Sequence, residues 1–187
     1  TAAVKALKLL NNKKIAVLVA DISPAGAIVE FRNQFPKRFI NTGVSEQSMI
    51  GIAAGLALRG MKPFCYTIAT FSIYRPFEMI RDDLCYQNLP SIIVGTGSGL
   101  SYSALGSTHH SLDDIGHMLN IPNLNIYTPC DKNEIEFCLL DAIKSRCIFL
   151  RFSPLTLYDK EIIFKEYYYL LVLCLLCYLT HIYLYLH

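Results

Sequence analysis

The residues best suited to chemistry fall in three stretches of the 187-residue chain. Residues 41–55 (NTGVSEQSMIGIAAG) contain one carboxylate, Glu46, just after a helix-opening serine, Ser45. An acid in a first helical turn sits where the helix dipole favours negative charge. By itself that placement also describes an ordinary solvated helix start. Gly43 permits a tight turn before it, and Gly51, Ala53, Ala54 and Gly55 make a smooth helix face for another backbone or a flat ligand. Residues 63–77 (PFCYTIATFSIYRPF) run from a strand into a helix and carry Phe71 and Tyr74. Aromatic rings there suit stacking on a heteroaromatic ring, or simply filling a core. The third stretch is the glycine-rich GTGSGL at 95–100 with GSTHHSLDD at 106–114. Its glycines loosely resemble a phosphate cradle, but neither a GxGxxG nor a Walker pattern is present. His109 and His110 suit proton transfer or a hydrogen bond to a hydroxyl. With Asp113 and Asp114 they also form a weak metal-ligand pattern, for which helix capping is the plainer reading.

These stretches need a scaffold, and the chain between 15 and 150 supplies one. Short apolar, β-branched runs lie at 15–20, 38–41, 62–67, 91–95, 123–127 and 147–150. Helical stretches are expected at about 25–35, 45–59, 73–87, 110–119 and 131–145. Strands that are continuously apolar, rather than alternating, are buried on both faces. The expected architecture is therefore a three-layer α/β/α sandwich with a mostly parallel sheet of about six strands. Ligands of such sheets bind beyond the C-terminal ends of the strands. Ser45 and Asp131 read as helix N-caps, and Gly60 as a helix end. The loop of about 14 residues before the histidines is long enough to be functional.

Composition narrows the function further. A hydrophobic share of 53% with 17% charged residues excludes a disordered chain. A net charge of +2 gives no case for a nucleic-acid partner. Seven cysteines scattered through apolar segments read as buried free thiols of a reducing compartment, hence a cytoplasmic location.

In their order and spacing the motifs resemble the pyrimidine-binding domain of the transketolase family of thiamine-diphosphate enzymes. The matching pieces are VADISP at 19–24, RFINTGVSEQSMIGIAAGLALRGMKPF at 38–64, IRDDLCYQNLPSIIVGT at 80–96 and STHHSLDDIGHMLNIPNLNIYTPCD at 107–131. The similarity is greatest to the C-terminal subunit of split, two-gene transketolases. It implies two-carbon ketol transfer between sugar phosphates. It also implies that Glu46 hydrogen-bonds the cofactor's aminopyrimidine ring nitrogen, a proton-sharing contact that makes the exocyclic nitrogen basic. By the same resemblance Phe71 stacks on the pyrimidine, Tyr74 lines that pocket, Asp21 lies near the thiazolium and His109 contacts the sugar. Ser107 stands where the family's histidine motif has proline. Gly97 and Leu105 stand where transketolases that use the usual ketose donors carry histidine and aspartate.

The family's Gly-Asp-Gly…Asn motif for the metal and diphosphate is not found in this sequence. The resemblance thus implies a partner domain or subunit that holds Mg²⁺ and the diphosphate, in a dimer or heterotetramer. Deoxyxylulose-phosphate synthase, the β-subunits of 2-oxo acid dehydrogenases and a non-catalytic remnant are the competing readings.

The expected domain is residues 1–152, opened by a short amphipathic helix at 1–11, followed by an apolar tail at 153–187. Residues 167–187 contain no Asp, Glu, Lys or Arg. They read as a membrane anchor, as a buried terminal element or as a non-native end, and their Tyr/Leu/Cys/Ile bias favours the last. The chain opens on Thr1, in keeping with a fragment or a processed product. Cys174 and Cys177 have a Cys-x-x-Cys spacing that reads as accidental within the apolar run.

Overall fold

The computed structural model describes residues 14–22 and 26–152. The expected helix at 1–11, the tail at 153–187 and the Cys174/Cys177 pair lie outside the described residues.

Each expected apolar run is a strand: β1 Ile15–Val19, β2 Phe39–Asn41, β3 Lys62–Ile68, β4 Ser91–Thr96, β5 Leu124–Tyr127 and β6 Cys147–Phe152. They pair in the order β2-β1-β3-β4-β6-β5, and every pairing is parallel. The strands are apolar throughout because both sheet faces are covered. Ala16, Leu18, Cys65, Ile93 and Phe149 point to one face. There they meet Met49, Ile50, Ala53 and Ala57 of helix α2 (Glu46–Leu58), with Ile80 and Leu84 from a π-helical turn (Ile80–Tyr86). Ile15, Val17, Val19, Ile92, Val94, Ile148 and Leu150 point the other way. These pack with Phe31 of α1 (Gly26–Gln34) and with Ile135, Leu139 and Ala142 of α6 (Lys132–Lys144).

The single helix expected at 73–87 is in fact three pieces: α3 Ala69–Ile73, α4 Phe77–Met79 and the π-helical turn. Pro76 causes the break, since it has no N–H to donate and disfavours helical backbone at Arg75. The helix expected at 110–119 shrinks to α5, Asp114–Met118, because Ser111 instead bridges Gly99 with reciprocal N–H···O bonds of 2.9 and 3.0 Å. The two N-termini expected to be capped also differ. Asp131 accepts from the N–H groups of Asn133 and Glu134, whereas Ser45 turns its hydroxyl to Ser48 Oγ at 2.7 Å and leaves the helix uncapped by its side chain.

The crossovers determine where the site falls. After β1 the chain moves to the α1 face; after β3 it moves to the α2 face. The loops leaving these neighbouring strands therefore diverge, and they open a crevice at the C-terminal edge. A glycine lets β4 approach this region closely. A Cβ on Gly95 would stand 2.9 Å from the Ala69 Cα and 3.0 Å from both Phe149 and Ser72 Oγ, so only glycine allows α3 to sit against the sheet.

Candidate active site at the C-terminal edge

Glu46 opens α2 beside this crevice, and its side chain is only 2% exposed. A buried carboxylate needs a partner, and Arg75 provides one, with Nη1 2.9 Å from Glu46 Oε2. The same guanidinium lies over the Phe71 ring, 4.5 Å from its centroid. Arg75 lies in the turn that follows α3, close enough along the chain for its long side chain to reach back over Phe71. The Phe71 ring also meets the His109 imidazole edge-on at 5.1 Å, and Tyr102 lies beyond that imidazole at 6.4 Å. Three of the sequence-derived candidates, Glu46, Phe71 and His109, thus form one connected group through Arg75. Thr108 Oγ1 lies 3.0 Å from His109 Nδ1, and His110 Nε2 is 3.3 Å from the Ser103 carbonyl.

The other two candidates have different partners. Tyr74 donates its hydroxyl to Asp113, and its ring meets His117 edge-on. Partial burial, reinforced by Asp113, raises the Tyr74 pKa, while the Tyr74 hydroxyl lowers that of Asp113. Asp21 stands at the end of β1 with a left-handed φ of 47°. Asn41 at the end of β2 stabilises that turn: its amide donates to Asp21 Oδ1 at 3.2 Å, and its own oxygen accepts from the Asp21 and Gly43 N–H groups at 3.1 and 3.0 Å.

The histidine loop is anchored from beneath. Asp114 is 1% exposed and takes a hydrogen bond from Arg151 Nε at 2.6 Å. Ser98 N–H donates to the Phe152 carbonyl at 3.0 Å. Gly97 has φ +75°, and a Cβ there would fall 1.9 Å from the Tyr102 ring. The ring of Tyr102 therefore fills the space that a side chain at position 97 would occupy.

Arg75, Asn41, Tyr102 and the Asp114–Arg151 pair were not singled out from the sequence. A signal existed for one of them: Arg151 is a lone charge in the apolar run CIFLRF. The cysteines differ in part from expectation, since Cys65, Cys85 and Cys147 are buried but Cys130 is exposed. Among the described residues, no helix is long and apolar enough to cross a membrane.

Residues 3–157 match the model of the transketolase pyrimidine-binding domain, and the chain belongs to that family. It is 42% identical over 124 residues to a subunit of the apulose-4-phosphate transketolase of Actinobacillus succinogenes, a match that covers 66% of this chain and 40% of that protein. Over 133 residues it is 36% identical to a 1-deoxy-D-xylulose-5-phosphate synthase of Acidobacterium capsulatum, covering 71% of this chain and 21% of the relative. Among solved structures, a split-gene transketolase described as an inactive β4 tetramer superposes with a TM-score of 0.72 at 33% identity, covering 84% of this chain and 52% of the other. The chain spans about two fifths of the transketolase subunits it matches.

Proposed function

We propose that this chain supplies the pyrimidine side of a thiamine-diphosphate site in a transketolase-type enzyme, one that moves a two-carbon ketol unit between sugar phosphates. One observation carries the reading. A buried carboxylate already takes an N–H from a flat, nitrogen-rich group lying over an aromatic ring. An aminopyrimidine whose ring nitrogen shares a proton with a carboxyl group presents an N–H and a flat face to that same pair, so the residues fit the group. When bound, thiamine diphosphate supplies the carbon centre that carries the two-carbon unit.

The chain's own residues bind and orient. Glu46 holds a proton at the pyrimidine ring nitrogen, sheltered from water. Phe71 stacks on the ring. His109, in edge contact with Phe71, offers its imidazole to a substrate hydroxyl. Tyr74 lines the pyrimidine pocket while its hydroxyl braces the loop through Asp113, and Asp21 with Asn41 shapes the rim between β1 and β2. The crowding of position 97 by Tyr102 supports a donor other than those used by relatives with a histidine there.

Diphosphate and Mg²⁺ fall to a second subunit. The outward face of α2 suits such a contact: Ser48, Gly51, Ile52 and Gly55 are exposed, small or apolar, and follow helical spacing. The relative described as an inactive β4 tetramer supports a need for the other subunit. We place the assembly in the cytoplasm, in keeping with the free thiols. The synthase relatives favour one second reading, formation of 1-deoxy-D-xylulose 5-phosphate.

The test combines the chain with a diphosphate-domain subunit, thiamine diphosphate and Mg²⁺ and measures transfer from a panel of ketose phosphates. Glu46→Ala is expected to cut turnover by at least about 100-fold, the scale of a lost acid–base contact. Equal activity of this variant and the parent chain defeats the reading. Formation of 1-deoxy-D-xylulose 5-phosphate, without ketol transfer, selects the synthase chemistry instead.

A further inference from the structure

Arg75 takes no part in the function just described, yet it occupies the centre of the site. Its guanidinium is planar and rich in N–H donors. It makes both contacts the proposed ligand needs, one to Glu46 at 2.9 Å and one to the face of Phe71 at 4.5 Å. Arg75 and the aminopyrimidine cannot hold these two partners together. Arg75 is also built to leave. Its side chain is 47% exposed, against 2% for Glu46, and its backbone lies in the break between α3 and α4 where Pro76 interrupts the helix. A long side chain rooted there can turn outward into water while the backbone stays in place.

We infer that Arg75 is an internal placeholder for the heterocycle, which occupies the Glu46–Phe71 cradle when the site is empty and swings out when an aminopyrimidine enters. The inference rests on the pyrimidine reading above. Its physical reason is the cost of leaving Glu46 as a bare buried anion, which an empty cradle would otherwise incur. It also makes the cradle selective. A ligand displaces Arg75 only if it offers both a ring nitrogen that shares a proton with the Glu46 carboxyl and a flat face for Phe71. Lysine would not substitute fully, because an ammonium is a compact point charge and does not stack as a plane.

The test titrates the full-length chain with 4-amino-2-methylpyrimidine and reads affinity by calorimetry. A half-exposed ion pair contributes on the order of 1 kcal/mol, so Arg75→Met is expected to bind about fivefold tighter than the parent, with Arg75→Lys between them. In the parent chain the Arg75 Nε–H NMR resonance should move on titration, a readout that requires no variant to fold. Arg75→Ala should gain thermal stability from millimolar methylguanidinium, and the parent should not. If Glu46→Ala abolishes binding but Arg75→Met binds no tighter and the Arg75 resonance stays fixed, the placeholder is wrong and the pyrimidine site stands. If Glu46→Ala and Phe71→Ala bind as well as the parent, both fall.

Discussion

At the C-terminal edge of the sheet Glu46 is 2% exposed and meets the side chain of Arg75; at the opposite edge Lys62, at the start of β3, is 7% exposed and meets backbone. Its ammonium donates to the carbonyls of Ser145 and Arg146, where the chain leaves α6 for β6. Burial lowers the Lys62 pKa from 10.5 to about 8, with a smaller contribution from Arg146 and an opposing one from Cys147. Around it Cys65 and Cys147 are pushed upward, Cys65 to about 12 by burial and Cys147 first by its hydrogen bond with Cys85. Thiols held in that form are poor nucleophiles, so this edge is inert packing. Carbonyls cannot leave a buried charge, whereas a half-exposed arginine can. The difference marks one edge as structural and the other as a place where a partner is exchanged.

The sharpest test sets the two arginines of the C-terminal edge against each other. Arg151 is 20% exposed and closes on Asp114, which is 1% exposed. Arg151→Met leaves a buried carboxylate alone and is expected to cost about 3–5 kcal/mol in chemical denaturation. Arg75→Met is expected to cost less, about 1–3 kcal/mol, because the half-exposed position of Arg75 lets water reach the Glu46 carboxylate once the guanidinium is gone. Equal losses would remove the distinction between a fixed and an exchangeable partner.

Next comes the pH dependence of the other edge. Lys62 binds its proton more weakly in the folded chain than in the unfolded one. Between about pH 8 and 10.5 the unfolded state therefore holds more protons, and stability attributable to Lys62 rises with pH. The denaturation midpoint of the parent, compared with Lys62→Met, should shift in favour of the parent across that window. A difference that stays flat or falls means the ammonium is not held in a desolvated site.

The smallest expected effects concern helix starts. Asp131→Ala, which removes two accepted N–H bonds at the start of α6, should lower stability by about 1 kcal/mol. Ser45→Ala at the start of α2 should stay within about 0.5 kcal/mol, since that hydroxyl bonds only a neighbouring serine side chain among the described contacts. A large Ser45 effect would mean that the entry to α2, and so the placement of Glu46, depends on that hydroxyl.

Much of this architecture was legible in advance. Runs such as IAVLV and SIIVG are too apolar to face water on either side, and they alternate with helical stretches, so a covered parallel sheet followed. The acid, the aromatic and the histidine at its edge could be picked out by residue type. The breaks were less legible. Pro76 marked the division of the 69–86 segment, but the shortening of α5 came from Ser111 pairing with Gly99 across a loop, which no local pattern announces.

Local chemistry is written along the chain: which runs prefer strand or helix, where a proline interrupts, which side chains can carry a charge or a proton. Pairing across the fold is not. Glu46 lies 29 residues from Arg75, Asp114 37 from Arg151 and Tyr74 39 from Asp113. Those partnerships exist only once the strands adopt the order β2-β1-β3-β4-β6-β5 and bring separate loops to one edge. Burial then decides which charges must find a partner, and distance decides which partner it is.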